Sequence, residues 1–226
     1  MNRSRDVAKA LAAARTLASI VTTMKTLSAV RIGRYREAVK AMDASHRTIE
    51  LAFEALFTAY PAVLDELASA DPAPDLTATE AIGVVAVGPD RGLCGALAER
   101  IADHAHGLLA ARSSDACLPR IAAVGERVAR HLGRRGWRVE RRLAPPSSLA
   151  GLDAAASDLV DLLDAWWTRA GVGRLYLVYA RPVDAARAEP HTLQLLPLDR
   201  SWLRDLAHRT WPTRNLPILV EPPDQV

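Results

Sequence analysis

Two hydrophobic periods divide the chain. Between Arg5 and Tyr60, apolar or aromatic residues fall at Ile32, Tyr35, Val39, Met42, Ile49, Phe53, Leu56 and Tyr60. Counting His46 as a weak member, they alternate three and four apart, which keeps them on one side of a helix as a coiled-coil seam. Leu17, Val21 and Met24 obey the same rule upstream with an offset, and Ile20, Leu27 and Val30 widen the stripe there. The segment has no proline and one glycine, Gly33. At about 1.5 Å per residue such a helix is roughly 80 Å long, so its stripe needs a partner. A helical hairpin broken at residues 43–45 is the competing reading, but no turn-forming Gly or Pro supports the break.

Residues 61–79, PAVLDELASADPAPDLTAT, end the helix in a short turn and a Pro/Asp/Ala linker. The pattern then changes. Apolar strands are predicted at 81–87, 121–124, 137–143 and 174–179, with helices between them at 94–112, 126–135 and 152–170. That alternation implies a mostly parallel sheet covered on both faces. A last strand at 192–198 pairs antiparallel at the edge. Within RRGWRVERR (134–142), Trp137 and Val139 face inward while Arg138 and Glu140 face out, an edge-strand pattern rather than a nucleic-acid surface.

The 226 residues suffice for one packed domain plus an extended appendage. No run of eighteen apolar residues exists, so nothing is expected to span a bilayer, and MNRSRDVAKA lacks the apolar core of a signal peptide. The formal net charge of +3 hides an asymmetry: residues 1–60 carry +5 and the remainder −2. A basic arm calls for an acidic partner.

GPDRGLCGAL (88–97) sits at a strand-to-helix turn, where α/β proteins keep chemistry. It has no lysine for a phosphate-binding GxxxxGK[ST] loop, and Gly92 and Gly95 are wrongly spaced for a dinucleotide fingerprint. GLCGA is similar to a nucleophile elbow with Cys94 as nucleophile, and His191 or His208 would then be the base. No acid stands out to orient that base. The competing reading is a small buried cysteine in a βα turn freed by the two glycines. Cys94 and Cys117 fit no metal spacing, and His104 and His106, two apart on a helix, point to different faces. No metal, cofactor or catalytic residue is therefore expected.

The residues also carry a resemblance. VGPDRGLCGAL after a strand is similar to the I/T-S-D-R-G-L-C-G-G segment of the gamma subunit of F-type ATP synthases. SIVTTMKTLSAVRIGRYREA resembles that family's K-I-T-K-A-M-K-M-V-A-A-x-K helix, with Ile20, Met24, Lys25, Ala29 and Arg31 on matching positions. IAAVGERVARHLGRRGW and RLYLVYARPVDAARAEPHTLQLLPL resemble the later V-V-G-x-K-G-x-x-F-x-x-R-G and V-Y-L-I-Y-N-x-F…Q-L-L-P-L segments. The match runs along essentially the whole chain. Departures include Val21 and Thr22 for the usual Thr and Lys, Pro89 for Ser, and Ala180 for Asn.

The resemblance implies an α/β protein: a long N-terminal coiled-coil helix (1–70), a linker (71–79), a Rossmann-like three-layer foot domain (80–200) and a C-terminal segment (201–226). It implies a central rotor stalk that transmits torque, on the cytoplasmic side of a bacterial inner membrane, between membrane ion flow and ATP synthesis. The implied partners are the alpha and beta subunits, the epsilon subunit and the membrane c-ring, with no nucleic acid and no small-molecule substrate. Ile20, Met24, Lys25, Arg31, Asp90, Arg91, Gly92 and Gly95 are the implied partner contacts, with Cys94 as packing. The family's C-terminal helix is expected to begin where the chain stops, at LVEPPDQV, and so to be missing. A small cysteine hydrolase built on Cys94 is the alternative.

Overall fold

The computed structural model describes residues 2–69, 81–90, 92, 94–113, 118–184 and 187–215. The chain separates into two units, Met1–Phe53 and Glu54–Val226.

The first unit consists of helix α1 (Asn2–Ala59), which runs on into the second without a break at residues 43–45. At about 1.5 Å per residue its 58 residues extend roughly 87 Å. Almost every side chain from Ser4 to Ile49 is exposed, the stripe included. Four of its threonines in one short stretch, Thr16, Thr22, Thr23 and Thr26, donate their hydroxyl hydrogens to the carbonyl four residues back, at 2.9–3.2 Å. By length and composition alone α1 is apolar enough to cross a membrane, contrary to the expectation from its apolar runs. Yet its longest stretch without a charged residue is the nine residues 16–24, well short of the roughly 20 apolar residues a span needs.

The second unit is built on a five-stranded sheet, order β3-β2-β1-β4-β5. Its strands are β1 (Ala81–Val87), β2 (Arg120–Val124), β3 (Arg141–Leu143), β4 (Val172–Pro182) and β5 (Ala188–Leu196). The β2–β1, β1–β4 and β2–β3 pairs are parallel, while β5 runs antiparallel along β4, as predicted for an edge. Alternation along β1 divides the core between the two faces. Ile82, Val84 and Ala86 join α3 (Leu97–Arg112) and α4 (Glu126–Arg134) on one side. Val85 joins Trp166 and the leucines of α5 (Leu152–Arg169) on the other. α3 earns its place by periodicity: Ala98, Ile101, Ala102, Ala105 and Leu109 make one buried stripe.

Several boundaries differ from the sequence reading: α3 starts at Leu97, β4 runs over Val172–Pro182 and β5 over Ala188–Leu196. The strand predicted at 137–143 pairs only through Arg141–Leu143. Trp137 and Val139 do face the core, but the Trp137 indole donates to His106 Nδ1 at 2.8 Å. Two short helices were missed. α2 (Pro61–Ser69) stands where a turn was read, and it packs on α6 (Arg200–Ala207), whose Leu203 and Leu206 are buried. The Asp199 carboxylate caps α6 by accepting from Ser201 N at 2.8 Å. Hydrogen bonds from the Ser201 hydroxyl and backbone hold its pKa below the usual 3.8. The expected missing helix after LVEPPDQV concerns residues outside those described.

Candidate interaction surfaces

Two features hold all the predicted contact residues: the wet face of α1 and the loop after β1. On α1, positions 20, 24, 27 and 31 recur at helical spacing, so Ile20, Met24, Leu27 and Arg31 lie along one side. Lys25 stands about a quarter-turn round from Met24. All five are exposed. Farther along, Val39 is 55% and Met42 65% exposed. Apolar side chains in such a row lose about 25 cal/mol for each Å² left in water, so the surface is built to be covered.

The loop after β1 is anchored at Gly88 through its backbone. Gly88 N donates to Val124 O at 2.9 Å, locking the end of β1 to β2. A Cβ on Gly88 would meet Val128 Cγ2 at 2.4 Å, and one on Gly125 would meet Gly88 O at 2.5 Å. Gly125 also has φ +106°, a backbone that side chains resist. These two are the crowded glycines of the turn, and neither was singled out from sequence. Gly92, by contrast, has room for a Cβ, with Arg127 Nη1 3.8 Å away. Gly95 adopts φ +54° in open space, so its conformation is what requires glycine.

Asp90 has a definite local task. Its Oδ1 accepts from Glu126 N, the first amide of α4, at 2.9 Å. A carboxylate there complements the helix dipole and occupies the position an anionic ligand would take. Arg91 lies outside the described residues.

Cys94 is exposed, which corrects its reading as a packed cysteine. Its thiol donates to Gly92 O at 3.7 Å, and α3 starts only at Leu97, three residues on. The hydrolase alternative gains no support either: His208 is the C-cap of α6, and His191 is engaged elsewhere. Thr192 on β5 meets His104 of α3 at 2.8 Å, so the alternation of a strand puts His191 on the opposite face. There His191 lies edge-on to Tyr179, with ring centroids 5.5 Å apart. His104 and His106 serve different partners, Thr192 and Trp137. Cys117 lies outside the described residues.

The family model described as ATP synthase matches residues 3–224. The ATP synthase gamma chain of Methylibium petroleiphilum is 29% identical over 136 residues, which are 60% of this chain and 46% of that one. The corresponding chain of Variovorax paradoxus is 30% identical over 119 residues, 53% of this chain and 40% of its own length. The matched part therefore spans less than half of these curated relatives. Among solved structures, a chain of the Tetrahymena thermophila mitochondrial ATP synthase, central stalk and c-ring, covers 74% of this chain and 79% of its own. It is 17% identical, with a TM-score of 0.43.

Proposed function

The chain belongs to the ATP synthase gamma family, and from that premise we propose that it is a central-stalk rotor element without catalytic residues of its own. The observation that carries this reading is the contrast within the molecule. A long helix keeps its apolar stripe in water, next in sequence to an α/β unit in which, among the described residues, the exposed Cys94 is bonded only within its own turn while His104 and His191 face other partners. A helix of that kind is a surface for partners.

In this reading α1 enters a ring of alpha and beta subunits, with Ile20, Met24, Lys25 and Arg31 touching it. The α/β unit is the foot, and it meets the epsilon subunit and the membrane c-ring through the exposed loop that contains Asp90, Arg91, Gly92 and Gly95. Torque passes along the helix between ion flow in the membrane and ATP synthesis in the head. The complex would sit on the cytoplasmic side of a bacterial inner membrane, with this chain peripheral to it. The basic charge of residues 1–60 suits acidic surfaces on the catalytic ring.

Co-expression with alpha and beta subunits tests the reading. A complex that co-purifies at a fixed stoichiometry and hydrolyses ATP is the expected result. Alpha and beta assembling to the same extent without this chain, which stays apart from them, overturns it.

A further inference from the structure

Burial along α1 changes abruptly at one residue. Up to Ile49 the helix is exposed or at most half-buried, whereas Glu54, Ala55 and Phe57 are all buried. Glu54 is the one buried charged residue among those described, 2% exposed. A carboxylate that deep is tolerated only with a countercharge, and Arg209 Nη1 supplies it, 3.7 Å from Glu54 Oε1.

The surroundings are organised to deliver that arginine. α6 buries Leu203 and Leu206, begins at the Asp199 cap, and ends with Arg209 N donating to Leu206 O at 3.3 Å. α2 packs on α6, and it follows α1 directly, after Tyr60 N donates to Leu56 O at 2.8 Å. The α2 and α6 helices absent from the sequence reading thus bring together two distant stretches of the second unit, residues 54–69 and 199–209.

We infer that Glu54 and Arg209 form a clamp that fixes the last turns of α1 into the α/β unit, and that α6 serves to carry Arg209 to it. Both residues are positioning residues. That the clamp carries torque rests on the rotor function proposed above; that it anchors the helix root does not. An exposed pair contributes little to stability, but here Glu54 is buried while Arg209 is 39% exposed, so loss of the arginine leaves the Glu54 charge buried without its partner. The two residues must therefore act as a unit.

The test is hydrogen exchange on the full chain with Glu54→Gln, Arg209→Gln, both together, and Arg209→Lys. Arg209→Gln should speed exchange of amides 55–59 and 201–208 at least about tenfold while β1 and β4 keep their protection. The double variant should recover most of that loss, and Arg209→Lys should stay near the parent. If Arg209→Gln leaves the chain unfolded, recovery of folding in the double variant supports the clamp and failure to recover overturns it. Unchanged exchange at 55–59, additive losses, or Arg209→Lys as damaging as Arg209→Gln also overturn it. Pull-down of the same variants with alpha and beta separates the two claims: a clamp intact by exchange in a chain that never joins alpha and beta leaves the anchor standing and removes its role in a rotor.

Discussion

Val85 and Val39 are the same amino acid in opposite circumstances. Val85, in the central strand β1, is fully buried between the sheet and Trp166, while Val39, in the second half of α1, is 55% exposed. Around Val85 the alternating pattern finds its covering inside the chain. Around Val39 an equally regular pattern finds none among the described residues. A hydrophobic period therefore states that a face will be buried, without stating by what.

Substitutions that treat the two regions alike sharpen that contrast. The largest effect is expected from Leu109→Ala, which empties the fully buried C-terminal end of the α3 stripe. It should cost about 2–5 kcal/mol in a urea titration of the α/β unit. Gly125→Ala comes next, roughly 2–3 kcal/mol, because it combines a positive φ with a Cβ driven into the Gly88 carbonyl. An unchanged midpoint for Gly125→Ala would mean that the turns after β1 and β2, which meet at Gly88 and Gly125, relax freely.

Asp199→Ala should cost about 1 kcal/mol, visible as faster exchange at the start of α6. Acid should imitate it. The folded pKa lies below the unfolded value of 3.8, so the contribution is complete above 3.8 and fades as the pH falls through the folded pKa. The smallest effect on the chain itself belongs to Val39→Ser on α1, within about 0.5 kcal/mol. The same change should weaken co-purification with alpha and beta subunits. A Val39→Ser chain that loses as much stability as Leu109→Ala, with no change in assembly, would erase the distinction between the two regions.

The sequence made the sheet readable because β1 and its neighbours repeat a short, uninterrupted apolar pattern bounded by glycine. It overran at 137–143 because alternation reports which way side chains face, not how many residues find a ladder partner. Glu140 N reaches Ile121 O, and pairing continues only from Arg141. α6 was missed although Asp199 and Ser201 spell a helix start, since eight residues are too few for the period to stand out. Around the loop, the sequence drew attention to Gly92 and Gly95, whereas the crowded positions are Gly88, against Val128, and Gly125, against the Gly88 carbonyl 37 positions back. Cys94 looked buried because cysteine usually is; its exposure depends on α3 starting three residues later than its periodicity suggested.

The threonines of α1 have one more consequence. With their hydrogens turned back on the helix, Thr16, Thr22, Thr23 and Thr26 present methyl groups and few directional donors to whatever surrounds them. A hydrogen-bonded contact has a preferred angle, and turning away from it means breaking bonds. Contact through methyls and hydrocarbon depends on area, which changes smoothly with angle. In the rotor reading proposed above, the threonines between Arg15 and Lys25 thus give α1 a surface like a greased axle, whose adhesion varies little with orientation.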